Sequence, residues 1–124
     1  MRGSAKELKF YISRRETDDP PVDIYETEDM LIFEVDLPGV DIDDISITSI
    51  GEDLIIEGVR KREDSSKEYR KYLCMERHTE RFNRRISLPI KVDINNGKAS
   101  YKNGVIRIKA PKIEKKAVKI EIER

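Results

Sequence analysis

The chain has 124 residues, of which 37% are hydrophobic and 40% are charged. This length fits one domain with one thin core, and a two-layer β fold suits the ratio better than a doubly wound sheet. The 25 basic residues balance the 25 acidic ones, which argues against a general polyanion binder because such proteins carry a basic excess.

Targeting signals and membrane spans are not evident in the sequence. No apolar run reaches the ~20 residues of a membrane span, and residues 1–10 lack the apolar core of a secretory signal. We therefore expect a cytoplasmic protein with no membrane partner. The chain has no glutamine and four asparagines beside its many charges, which suggests a thermophilic source and a melting temperature above about 60 °C.

Catalytic, metal and nucleotide sites have little support. Cys74 and His78 are the only residues of their types, fewer than the three or four ligands of a zinc site. With Glu76 they could form a nucleophile and base, although a packed thiol and a surface imidazole are far more common. The six glycines stand singly, without a phosphate-binding loop. We expect no enzyme activity, cofactor, metal or small-molecule substrate.

Residues 1–21 differ from the rest of the chain. Leu8, Tyr11 and Ile12 share one face of a short predicted helix, with Phe10 beside it. A helix this short is marginal alone in water, so it needs a partner surface. Residues 17–21, Thr-Asp-Asp-Pro-Pro, are typical of a linker.

Alternating apolar and polar residues predict short β-strands from residue 22 onward. In residues 30–37, for example, Leu31, Phe33, Val35 and Leu37 share one face. The predicted strands are residues 22–26, 30–37, 45–48, 54–60, 82–88, 99–101 and 105–110. Turns at residues 51–53 and 103–104 predict two hairpins. Short strands at near-even spacing are typical of a sandwich or barrel.

Three features stand out from this pattern. Residues 61–80 are highly charged but contain Tyr69, Tyr72, Leu73 and Met75; the segment is either a solvated loop, with a short edge strand within it, or an arm that pairs with another chain. Arg84 shares a strand face with apolar residues and either reaches solvent at the strand edge or pairs at an interface. In the tail, Val118, Ile120 and Ile122 are spaced by two residues, so they share one side of an extended segment. Such a segment could add a strand to a sheet of its own chain or of a neighbouring copy.

Four short motifs in the correct order resemble the small heat-shock proteins, the α-crystallin family. Residues 99–106, ASYKNGVI, resemble its A-x-x-x-N-G-V-L signature, and residues 37–40, LPGV, resemble its L-P-G turn. Residues 82–89, FNRRISLP, resemble its F-x-R-x-x-x-L-P strand. Residues 120–122, IEI, fit its C-terminal I-x-I motif. The similarity covers about residues 20–124.

The resemblance implies an all-β, immunoglobulin-like antiparallel β-sandwich of about seven to nine short strands. It implies a short N-terminal arm (1–21), an alpha-crystallin domain (22–111) and a C-terminal extension (112–124). Dimers would form by strand exchange through the loop at 61–80, and Arg84 would lie at the dimer contact. The tail would dock between edge strands of a neighbouring dimer, in a groove formed by Ile45, Ile47, Ala99 and Tyr101.

The family binds unfolding proteins without ATP, so the resemblance implies an ATP-independent holdase chaperone that forms homo-oligomers. Family arms are usually longer and richer in phenylalanine and leucine, which limits the client and assembly face here to Leu8, Phe10, Tyr11 and Ile12. The main alternative is a monomeric p23-like co-chaperone or scaffolding adaptor with the same fold. A nucleic-acid-binding barrel would need a basic groove with aromatic platforms, which the balanced charge disfavours.

Overall fold

The computed structural model describes residues 19–62, 70–77, 80–113 and 119–124. These ranges contain seven β-strands and two short 3-10 helices, Ile42–Asp44 and Ile94–Asn96. The strands are β1 (Val22–Glu26), β2 (Met30–Asp36), β3 (Ile45–Ile50), β4 (Asp53–Val59), β5 (Arg81–Ser87), β6 (Lys98–Lys102) and β7 (Val105–Pro111). The predictions for Leu8, Phe10, Tyr11, Ile12, Tyr69, His78 and Val118 concern residues outside the described ranges.

Two antiparallel sheets make up the domain. One has the strand order β1-β2-β7-β6 and the other has the order β3-β4-β5. Strand pairing joins segments far apart in sequence, as between β2 and β7, where Phe33 lies opposite Ile108. The predicted fold class, an immunoglobulin-like β-sandwich, is confirmed.

The core lies between the two sheets and is built from the alternation read in the sequence. Leu31, Phe33 and Val35 of β2 are 2%, 0% and 0% exposed. Ile106 and Ile108 of β7 continue this layer. The opposite layer consists of inward side chains of β4 and β5, namely Leu54, Ile56, Phe82 and Ile86. Burial of these side chains provides the main driving force for folding.

The hairpin between β6 and β7 has the predicted two-residue turn, because Lys102 pairs directly with Val105. Asn103 and Gly104 both have positive φ, at 54° and 77°, as a type I′ turn requires. The Leu37 backbone N–H donates to the Gly104 carbonyl over 2.7 Å. Two motifs that are distant in sequence, residues 37–40 and 99–106, are therefore in contact.

Candidate functional site

The open edges of the two sheets are the candidate sites for association. Strands β1 and β6 flank the four-stranded sheet, and β3 and β5 flank the three-stranded sheet. Pro20, just before β1, accepts a hydrogen bond from Arg84 of β5, so β1 and β5 lie on the same side of the sandwich. This arrangement leaves β3 and β6 together on the opposite side.

The predicted groove residues lie on the inward-facing sides of β3 and β6. Ile45 and Ile47 are half-buried and pack against the core, as does Tyr101, whereas Ala99 is exposed. The Tyr101 hydroxyl donates to the Leu37 carbonyl over 2.6 Å. The structure thus places these four side chains along two neighbouring sheet edges, where a further strand could be added.

The two tail isoleucines are among the most exposed apolar side chains described. Ile120 is 84% exposed and Ile122 is 92% exposed, and residues 119–124 form no strand. Exposed side chains of this size on a charged tail have apolar area available for burial against another surface.

The described part of the 61–80 loop is also exposed. Tyr72, Leu73 and Met75 are 46%, 89% and 58% exposed, and residues 70–77 contain no strand within this single chain. The guanidinium of Arg62 lies 5.2 Å from the centre of the Tyr72 ring and donates to the Arg77 carbonyl over 3.1 Å. The loop therefore has internal contacts but leaves its apolar side chains accessible.

Arg84 is half-buried on the inward face of β5, opposite Ile56 of β4. Its Nη1 donates to the Pro20 carbonyl over 2.9 Å. Pro20 itself is less than 2% exposed, so this bond satisfies a carbonyl near which little water is available. Arg84 thereby joins the segment before β1 to the three-stranded sheet.

Among the described strands, β1 lies at the edge of its sheet and has two exposed apolar side chains, which sequence reasoning did not single out. Ile24 and Tyr25 are 40% and 41% exposed. Tyr25 lies opposite Ile32 on the outer face of the sheet, and Ile32 is only 6% exposed although it lies outside the core cluster. The unbroken apolar run at residues 30–33 was the signal for this second buried face.

Of the cysteine and histidine considered, and disfavoured, as a nucleophile and base, only Cys74 lies within the described ranges. Cys74 is exposed and free, and its Sγ lies 3.4 Å from Glu76 Oε1. Within the described ranges, no three His, Cys, Asp or Glu residues are placed to hold a metal ion. The helices in those ranges are all too short and too polar to cross a membrane.

Ion pairs on the surface of the domain shift several pKa values. A hydrogen bond from Arg85 holds the pKa of Asp53 below its ordinary value. A hydrogen bond to Asp44 raises the pKa of Lys61, and bonds to Glu34 raise the pKa of Arg107. Each shift favours the charged form of its group, so these side chains stay charged near neutral pH.

Comparisons with known sequences agree with this architecture. The Hsp20/alpha crystallin family model matches residues 23–123. Small heat shock protein C4 of Rickettsia felis is 40% identical over 104 residues, which are 83% of this chain and 63% of that protein. Spore protein SP21 of Stigmatella aurantiaca is 39% identical over 93 residues, which are 75% of this chain and 54% of that protein. The chain thus spans less than two thirds of the length of these relatives.

Solved structures show the same fold. A small heat-shock protein from Xylella fastidiosa, described as having a distinct high order structure, superposes with a TM-score of 0.70 and 32% identity, covering 87% of this chain and 99% of that one. Heat shock protein 16.0 of Schizosaccharomyces pombe gives a TM-score of 0.68 and 30% identity, covering 85% and 96%. The resemblance read from the motifs is confirmed, and the chain belongs to the Hsp20/alpha crystallin family.

Proposed function

We propose that this protein is a chaperone that binds unfolding proteins without ATP and keeps them from aggregating. The observation that carries this proposal is the pair of tail isoleucines, which are 84% and 92% exposed, in a chain where β3 and β6 are edge strands of the described sheets. Family membership supports the same role. An apolar groove that is covered reversibly can hold apolar segments of other proteins when it is uncovered.

A dimer is the proposed building block. Leu73 and Met75 are exposed in the loop, and β1, which carries Ile24 and Tyr25, is unpaired on one side within the described residues. A loop segment that pairs with β1 of a second copy would satisfy the unpaired backbone groups of that edge and cover apolar area on both sides. Arg84, near the start of β1, would lie close to this contact.

Dimers would be joined through the tail. Ile120 and Ile122 would fill the groove formed by Ile45, Ile47, Ala99 and Tyr101 of a neighbouring dimer. Burial of two isoleucines contributes roughly 3–6 kcal/mol before ordering costs, which is modest enough for reversible release. The high order structure described for the Xylella fastidiosa relative supports assembly beyond a dimer.

This proposal divides the chain into three parts: an arm at residues 1–21, the alpha-crystallin domain at residues 22–111, and an extension at residues 112–124. The arm and the extension would extend from the sandwich to contact other copies or clients. A p23-like co-chaperone would act as a monomer, and the exposed apolar side chains of both the loop and the tail favour self-assembly instead.

The test is an aggregation assay with a heat-labile enzyme as client, followed by light scattering in the absence of ATP. We expect the full chain to suppress light scattering at about one subunit per client molecule. Added ATP should not change the extent of this suppression. A lysozyme sample at equal mass controls for nonspecific crowding. If scattering is the same with this protein as with lysozyme, the chaperone proposal is wrong.

A further inference from the structure

One arginine connects three segments at the corner where the chain enters the sandwich. Arg60 directly follows β4, and its backbone N–H donates to the Glu80 carbonyl over 3.1 Å. Because Glu80 directly precedes β5, this hydrogen bond closes the base of the loop that the two residues flank.

The side chain of Arg60 reaches the segment before β1. Its Nη1 lies 2.7 Å from Asp19 Oδ2 and its Nη2 lies 3.0 Å from Asp19 Oδ1. This two-point pairing is the strong geometry for a guanidinium and a carboxylate. The Arg60 side chain is 14% exposed, whereas the basic partner is 66% exposed in Lys61–Asp44 and 59% exposed in Arg85–Asp53.

The same guanidinium also packs on the core. It lies 5.0 Å from the centre of the Phe82 ring, and Phe82 is 4% exposed. If Asp19 moved away, Arg60 could follow it only by leaving the Phe82 ring. If Arg60 stayed, its partly desolvated positive charge would have lost its carboxylate partner, which is unfavourable. Loss of the ion pair therefore favours movement of Arg60 itself.

We propose that Arg60 is a clamp that couples the entry of the N-terminal segment to the base of the 61–80 loop. Departure of Asp19 frees the Arg60 side chain, and the backbone hydrogen bond to Glu80 then opens more often. The segment before β1 and the base of the loop, where Arg60 meets Glu80, thus loosen together rather than independently. This coupling is a property of the single chain and holds whether or not the chain is a chaperone.

Two amides report on the two ends of the clamp. The Arg60 N–H reports on the loop base, through its bond to Glu80. The Asp36 N–H reports on the entry segment, because it donates to the Pro21 carbonyl over 3.2 Å. Hydrogen exchange of the full chain, read at single amides by mass spectrometry, measures both opening reactions in one experiment.

Asp19→Asn removes the negative charge of the carboxylate. Arg60→Lys keeps the positive charge but cannot form the two parallel hydrogen bonds of the guanidinium. We expect both variants to accelerate exchange at both reporter amides by roughly two- to fivefold, relative to amides in the centre of β7. Asp44→Asn, which removes the neighbouring Lys61 pair, is the matched control and should leave the Asp36 amide unchanged. The proposal is overturned if Asp19→Asn accelerates the Asp36 amide alone, if all amides accelerate equally, or if the control has the same effect.

Discussion

At the residue scale, Arg84 shows how a polar group is accommodated on a core-facing strand surface. The alternation pattern predicted that Arg84 shares a strand face with Phe82 and Ile86. It did not determine which group the guanidinium would bind. The structure supplies the partner, the carbonyl of buried Pro20. Strand periodicity identifies the face of a residue, but it does not reveal which distant backbone atom will lie within reach.

Arg84→Ala should destabilise the fold by about 1–3 kcal/mol, because a buried carbonyl loses its donor. The measurement is urea unfolding at fixed protein concentration. Arg85→Ala is the matched control, since Arg85 is exposed and pairs with Asp53 on the surface, and it should cost less than about 1 kcal/mol. Equal costs for the two variants would show that the bond to Pro20 contributes little.

Gly104 carries a second prediction at this scale. Its φ is 77°, and an added Cβ would lie 3.1 Å from Pro38 Cα. Gly104→Ala should therefore lower the free energy of unfolding by about 1–2 kcal/mol because of the left-handed backbone alone. The close contact with Pro38 should lower it further. Gly51→Ala is the control, because Gly51 has a φ of 59° but open space around it.

Thermal unfolding of the two variants separates the backbone cost from the contact cost. We expect a lower melting temperature for the Gly104 variant than for the Gly51 variant. A similar melting temperature for both would show that the turn at residues 37–40 shifts at little cost to accommodate the added Cβ. The sequence predicted the turns at residues 37–40 and 103–104. It did not reveal that these two turns contact each other in the folded chain.

At the element scale, alternation predicted most of the sandwich because the inward faces are mainly apolar, with Arg84 of β5 as a polar residue among them. Strand β2 is the exception, since Ile32 is buried on its outer face opposite Tyr25. Strand β7 extends one residue further than predicted and includes Pro111 as its last residue. Strand ends and second buried faces depend on neighbouring strands, which a local pattern does not contain.

The β4–β5 pair carries a prediction about pH. The bond from Arg85 lowers the pKa of Asp53 in the folded chain, so the folded state binds this proton less readily than the unfolded state. The pair therefore adds stability above the unfolded pKa, and this stability is lost as the pH falls through the folded pKa. Asp53→Asn should lower the urea midpoint slightly at about pH 6, with the difference from the unmodified chain shrinking towards about pH 3. A difference that is constant over this range would exclude the ionic contribution.

The loop at residues 61–80 carries the prediction for the dimer. Replacement of Leu73 and Met75 by serine removes two of its exposed apolar side chains and should convert dimers to monomers, because the proposed contact loses much of its buried area. Analytical ultracentrifugation of the variant measures this. Lys71→Ser is the control, since it changes an exposed charged residue of the same segment and should leave the dimer intact. A dimer that persists in the double variant would place the contact elsewhere.

At the scale of the whole molecule, family and fold could be predicted from the sequence, because four motifs lie in order along one chain. The residues of the proposed groove come from the same resemblance and stay a prediction; the structure places Ile45, Ile47 and Tyr101 on the edge strands β3 and β6. The ion pair between Asp19 and Arg60 could not be predicted. These residues are 41 positions apart, and nothing in the local pattern connects them.

Assembly of dimers through the tail is the central proposal for this protein, and one measurement tests it most directly. It is the absolute mass in solution, by light scattering after size exclusion, of the full chain and of a variant with Ile120→Ala and Ile122→Ala. A variant with Lys119→Ala and Glu121→Ala alters alternate positions of the same segment and is the matched control. We expect many subunits for the full chain and the control, and a dimer for the isoleucine variant. The same mass for all three would contradict the proposed role of the tail.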